Sequence, residues 1–229
     1  MPEFWNKTEK RGHETVTFWR RFLPLMKVGG TTPDQHATDL ARLQTLAQER
    51  EDRLADARAA KKRELAQFNL IRTLNLAVPK LIAGRFDESH PIAPLLAGVY
   101  AVVPRSDELN LRRARLLVPV WKRVNAALSA RRPGETMVRD EIGVAEFEQM
   151  IAGYPALVQT TSDEGLKVAQ ARAALRLHHR KTDRLNKRAY KKFRAESRTH
   201  AAMRESLQTA NHAGEMIASQ EKKLPPYRR

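Results

Sequence analysis

Apolar side chains recur along this chain at the three- and four-residue intervals of α-helices. The clearest series follows a Thr-x-x-Gln capping box at Thr32 and Gln35, with Pro33 at the favoured first helical position. It predicts a long helix from Pro33 to about Asn75, which Pro79 should kink or end and Gly84 should finish. The apolar stripe of this helix is typical of a coiled coil. It comprises Leu40, Leu43, Ala47, Leu54, Ala57, Leu65 and Phe68.

A second long helix is predicted near the C-terminus, from Ser162 to about Asn211. Thr161 and Glu164 form its capping box. Its apolar seam keeps intervals of three and four residues for more than three heptads, which indicates a buried face. The seam comprises Val168, Ala171, Leu175, His178, Thr182, Leu185, Ala189 and Phe193.

Shorter elements fill the rest of the chain. An amphipathic helix is predicted from Gly12 to Val28, and turns with a short helix from Arg85 to Arg105. A third helix begins after Ser106 and ends near Arg131, bent at Pro119. A further short helix covers Val144 to Ala152.

These elements predict an all-α protein, an elongated helical bundle built on two long antiparallel helices with shorter helices packed against them. We expect residues 1–30 to form an N-terminal amphipathic helical appendage and residues 31–213 the main helical domain. Residues 214–229 read as a flexible basic C-terminal tail. No internal repeat of fixed period is visible in the sequence.

The distribution of charge says more about function than the overall composition does. The 229 residues are 41% hydrophobic and 30% charged, and the net charge is +16. Residues 163–229 carry +10 of that charge, with seventeen Lys/Arg and seven Asp/Glu. An uneven excess of this kind attracts polyanions and is what a binding face needs.

The stretch from Arg172 to Arg198 holds eleven Lys/Arg and only two acids, Asp183 and Glu196. At about 100° per residue, eight basic residues fall on one face nearly opposite the seam. These eight form the predicted polyanion-binding site: Arg172, Arg176, Arg180, Arg184, Lys187, Lys191, Arg194 and Arg198. Lys181, Arg188 and Lys192 lie on the shoulder between this face and the seam.

Three interpretations of the basic face compete. It is a solvated helix side, a surface for nucleic acid or another polyanion, or a surface for an acidic protein partner. The first long helix mixes acids and bases, so the chain does not need one sign of charge for solubility alone. We expect a non-catalytic binding protein that takes nucleic acid without strong sequence specificity. The alternative is a structural or scaffold protein that acts, or self-associates, through helix–helix contacts.

Other chemistry has little support. The chain has no cysteine, which excludes disulfides, thiolate catalysis and Cys-based zinc sites. His179 and Asp183, four residues apart, could give two metal ligands, but two do not make a site. A loop with Asp87, Glu88 and His90 could act in acid–base chemistry or cap a turn, and the turn is favoured. We therefore predict no enzyme activity, no metal and no cofactor.

No membrane span is predicted, because no run approaches about 18 uncharged apolar residues. The N-terminus lacks the apolar core of a secretory signal, and a cytoplasmic location is expected. The aromatic N-terminal helix, with Trp5, Phe18 and Trp19, resembles an interfacial membrane helix. Such helices also dock on their own bundle, and docking is favoured here.

Overall fold

The structure, a computed structural model, describes residues 4–198 and 200–207. Its main elements are all helices: α1 Phe4–Phe22, α2 Pro33–Ala83, α3 Ala93–Tyr100, α4 Asp107–Arg131 and α5 Val144–Glu196. A sixth, short helix covers 201–207. Within these ranges there is no strand, only two isolated β-bridges. The all-α class is confirmed, and no described helix is long and apolar enough to cross a membrane.

Two of the predicted helix starts are confirmed by their hydrogen bonds. At the start of α2, the Gln35 amide N–H donates to Thr32 Oγ1 (3.3 Å), and the Thr32 N–H donates to Gln35 Oε1 (2.9 Å). At the start of α4, Ser106 Oγ accepts from the Leu109 N–H at 3.2 Å. These bonds satisfy backbone donors that a helix cannot pair internally.

The predicted break within the last helix is wrong. Helix α5 runs without interruption from Val144, so Thr161 lies in its interior and caps nothing. Phe147, Ile151 and Tyr154 are buried at intervals of four and three residues up to Pro155, and Leu157 is half-buried three residues further on, so one helical face stays packed across the proline. That packing outweighs the loss of one backbone hydrogen bond at the proline. At the other end, α5 stops at Glu196, short of the predicted Asn211.

Helix α2 runs past Asn75 and Pro79 and ends at Ala83, directly before the predicted stop at Gly84. The helix continues through the proline because Val78 and Ile82 are fully buried on either side of it. Its stripe shifts by one position midway, so that Leu65 is 47% exposed and Glu64 is buried instead. Lys61 Nζ lies 2.6 Å from Glu64 Oε1, and this hydrogen bond lowers the pKa of the glutamate.

The chain divides into two compact units. The first contains α1, the part of α2 up to Leu54 and the part of α5 from Lys167. The second contains residues 55–166, with α3, α4 and the remaining parts of α2 and α5. The predicted boundaries at residues 30 and 213 stay predictions, and the tail at 214–229 lies outside the described residues.

The two long helices pair in opposite directions, as predicted. In the first unit, His36 of α2 bonds to Asn186 of α5. Further along α2, Leu43 clusters with Leu175, which comes earlier in α5. Numbers that rise along one helix as they fall along its neighbour define an antiparallel pair.

A structural motif occurs once in each unit. Trp19 Nε1 donates to the Met26 carbonyl at 2.9 Å, and Trp121 Nε1 donates to the Met137 carbonyl at 3.0 Å. Both tryptophans are fully buried. In each unit, the methionine that accepts this bond is followed along the chain by a tight turn and then by the start of a long helix.

The two turns share one backbone form. Val28 and Thr31 bridge in the first unit, and Arg139 and Ile142 bridge in the second. The two central residues of each turn have positive φ: 59° and 81° at the glycines of the first, 51° and 65° at Asp140 and Glu141 in the second. That pattern is typical of a type I′ turn.

The helix starts after these turns also correspond. Gln35 Oε1 accepts from the Thr32 N–H, and Glu146 Oε2 accepts from the Gly143 N–H at 3.1 Å. The motif escapes a search for a fixed sequence period because its spacing differs. Trp and Met are seven residues apart in one copy and sixteen in the other.

Candidate polyanion interface

All eight predicted binding residues are exposed, and all belong to the first unit. Seven lie on α5, between Arg172 and Arg194, over about 33 Å of helix. The eighth, Arg198, lies two residues beyond the end of the helix. The basic face of α5 is defined here as those seven residues together with Arg188, which is exposed at its edge.

The opposite side of α5 is packed as the seam predicts. Six of its eight positions are buried, and Ala171 and His178 are half-buried. Phe193 packs against Phe18 and Trp19 of α1, with ring centroids 4.9 and 5.7 Å apart. The basic side chains therefore project from a helix whose backbone is fixed by its core side.

Polar groups on the packed side of α5, His178 in the seam and Asn186 next to it, are held by hydrogen bonds. His178 Nε2 lies 2.6 Å from the backbone oxygen of Asp39. Asn186 Oδ1 lies 2.6 Å from His36 Nε2, and Asn186 Nδ2 donates to the Thr8 carbonyl at 3.0 Å. These contacts join α1, α2 and α5, so the polar seam positions are structural.

Two of the eleven basic residues are neutralised by acids. Lys187 Nζ lies 2.6 Å from Asp183, and Lys181 Nζ lies 3.0 Å from Asp39. Asp183 falls on the basic face itself, at about −20° from Arg176, so the face is less purely basic than the charge count implied. The five arginines from Arg172 to Arg188 at intervals of four make no ion pair within residues 4–198 and 200–207.

One side of the basic face borders a groove of about 370 Å³. The turn contributes Gly29 and Thr31 to its lining, and α5 contributes Leu177, Arg180, Lys181, Arg184, Leu185 and Arg188. A Cβ on Gly29 would lie 3.6 Å from Arg188 Nη1. The guanidinium group is therefore close to the turn backbone.

This groove shifts the centre of the candidate site. Arg180 and Arg184 were predicted site residues, whereas Arg188 and Lys181 were assigned to the shoulder. The turn was not predicted as part of the site. A Gly-Gly pair between two β-branched residues signals a tight turn in the sequence, but nothing in the sequence tells which part of α5 it lies beside.

The other candidates have local partners. His179 Nε2 lies 2.8 Å from Thr8 Oγ1, and Asp183 pairs with Lys187 as described. Asp87 Oδ1 accepts from the Ser89 hydroxyl and amide at 2.7 and 3.1 Å, and the hydroxyl bond lowers the pKa of Asp87. Within the described ranges, no cluster of three or more His, Asp or Glu could hold a metal ion.

Comparisons of the chain with protein-family models, curated proteins and solved structures gave no match. Function is therefore inferred from the geometry of the first unit.

Proposed function

We propose that this protein binds a polyanion, nucleic acid in the first instance, through the basic face of α5. One observation carries the proposal. Five arginines at successive i,i+4 positions are exposed on a packed helix and have no acidic partner in the described part of the chain. Like charges at this spacing repel by a few tenths of a kcal/mol per pair. A bound polyanion removes that repulsion.

The physical basis of binding is the release of counterions. Each Arg or Lys that neutralises a phosphate displaces a condensed cation, so affinity falls steeply as salt rises. The arginines are mounted on a helix that is already ordered by its core contacts with α1. Binding therefore needs no folding of the backbone, which lowers its entropic cost.

Binding without strong sequence preference follows from the side chains present. Contacts to phosphates position a protein but carry no sequence information. The amide nearest the face, Asn186, is buried and bonded to His36 and Thr8, so it is not free to pair with adenine. The surface is suited to the backbone rather than to base edges.

Fluorescence anisotropy with labelled DNA and RNA across a salt series tests the proposal. The variant replaces Arg176, Arg180, Arg184, Lys187 and Lys191 with Gln. We expect the wild type to show a steep fall of affinity with salt, and the variant a much shallower one. Absence of wild-type binding at about 50 mM salt, where backbone contacts are strongest, contradicts the proposal.

A further inference from the structure

Backbone geometry alone does not require glycine at the two central positions of the turn in the first unit. The second unit builds the same turn with Asp140 and Glu141 at positive φ. Glycine is the residue that lets another group approach the backbone closely. Gly29 and Gly30 therefore leave open space at this turn and add no charge. The equivalent positions of the other unit carry two carboxylates, those of Asp140 and Glu141.

The wall of the groove facing this turn is strongly basic. Arg180, Arg184 and Arg188 line it at successive turns of α5, about 6 Å apart along the axis. Lys181 also lines it but is engaged by Asp39. The three guanidinium groups are exposed and make no ion pair with a described acid. Each can donate two parallel hydrogen bonds to a phosphate, which ammonium groups cannot.

The remaining lining suits the sugar that accompanies a phosphate. Leu177 and Leu185 supply the apolar part of the groove. Among the described residues, no aromatic side chain lines it, so the lining offers bases no stacking platform. The chemistry of the groove matches a backbone with alternating anionic and apolar groups.

We infer that the groove between the Gly29–Gly30 turn and α5 anchors a phosphodiester of the nucleic-acid backbone. The inference rests on the proposed function and adds the position of the tightest contact. The rest of the basic face then contributes long-range attraction along α5. A carboxylate introduced at Gly29 competes with the phosphate for Arg188.

Two substitutions that differ by one position test this inference. Gly29→Asp places a carboxylate next to Arg188, as the 3.6 Å approach of a Cβ implies. Gly30→Asp adds the same charge at positive φ, but a Cβ there meets nothing within 4 Å. Aspartate tolerates this backbone region, as Asp140 does in the second turn. We expect Gly29→Asp to weaken DNA binding about tenfold, and Gly30→Asp to weaken it by less than about threefold.

Glycine-selective ¹⁵N labelling gives a readout that does not depend on a substitution. In the wild type, a short DNA duplex should shift the amide signal of Gly29 in a saturable way. Gly134, which also has positive φ but lies in the second unit, is the reference and should not move. Circular dichroism of both Asp variants checks that the fold is kept.

The outcomes separate the two claims. If the wild type binds neither DNA nor RNA, the proposed function fails and the groove assignment fails with it. If the wild type binds, but the two Asp variants lose affinity equally or the Gly29 signal stays fixed at saturation, only the groove assignment is overturned. A larger loss for Gly29→Asp together with a shifted Gly29 signal supports both.

Discussion

Trp19 Nε1 donates a hydrogen bond to the backbone oxygen of Met26, two residues before the glycine turn begins. The same indole ring packs edge-on against Phe193 of α5, with centroids 5.7 Å apart. One buried side chain thus contacts both the segment that leads into the turn and the helix that carries the basic face. The position of the turn beside α5 depends on this residue.

Replacing Trp19 with Phe should lower both stability and binding. The substitution removes the donor for the Met26 carbonyl and part of the packing with Phe193, for a loss of about 1–3 kcal/mol of unfolding free energy. Urea denaturation measures the loss.

Trp121→Phe is the matched control, since it removes the equivalent bond in the second unit. It should destabilise by a similar amount and leave nucleic-acid affinity unchanged in folded protein. Equal losses of affinity from both variants contradict this role of Trp19.

The buried histidine of the first unit should make stability depend on pH. Asn186 Nδ2 donates to the Thr8 carbonyl, so Asn186 Oδ1 must accept and His36 Nε2 must be the donor. His36 Nδ1 is buried and has no hydrogen-bond partner in the part of the chain that the structure describes. Burial lowers the pKa of His36, although the hydrogen bond to Asn186 and the nearby Asp39 carboxylate oppose that effect.

The direction of this pH dependence follows from which state of the protein takes up the proton more readily. Below its ordinary pKa of about 6.5, His36 gains a proton more readily in the unfolded chain than in the folded one. Stability should therefore fall as pH drops from about 6.5 towards the lowered pKa. His36→Gln keeps a donor for Asn186 and does not titrate, so it should flatten the melting temperature between pH 5 and 7 relative to wild type. His200→Gln, at an exposed site that does not act on His36, is the control. A slope unchanged by His36→Gln refutes the assignment.

Adjacent leucines on α4 test the core of the second unit. Leu117 is fully buried, whereas Leu116 is 41% exposed. Leu117→Ala should cost about 2–5 kcal/mol because it leaves a cavity, and Leu116→Ala should cost about 0.5 kcal/mol or less. Chemical denaturation of both variants measures the difference. Similar costs would mean that α4 packs in another register.

The sequence predicted the helices whose start signals and apolar periods agree. Thr32, Gln35 and Ser106 cap where expected, and the seam of α5 faces the core. Prediction from the sequence failed where tertiary packing overrides a local helix-breaking signal. Pro79 and Pro155 look like helix breaks in sequence, but the helix continues through each of them. Val78 and Ile82 are buried on either side of Pro79, and Tyr154 is buried directly before Pro155. The apolar shift near Leu65 depends on which neighbouring helix covers α2, and periodicity cannot show that.

The candidate site was predicted only in part. Charge periodicity located the basic face, because that pattern is local to one helix. The groove depends on residues about 150 positions apart in sequence, such as Gly29 and Arg180, and a single sequence does not reveal that contact. The ion pair between Asp39 and Lys181 was hidden for the same reason.

The proposal that nucleic acid binds at α5 is tested most directly by two charge-matched triple variants. One replaces Arg180, Arg184 and Arg188 with Gln. The other replaces Arg112, Arg115 and Arg123, which are exposed on α4 in the second unit, and removes the same net charge. The quantity measured is the slope of log affinity against log salt concentration for a DNA duplex. We predict that the α5 variant lowers the magnitude of the slope by about 3, and that the α4 variant leaves it close to wild type. Equal slopes for the two variants would contradict binding through the basic face of α5.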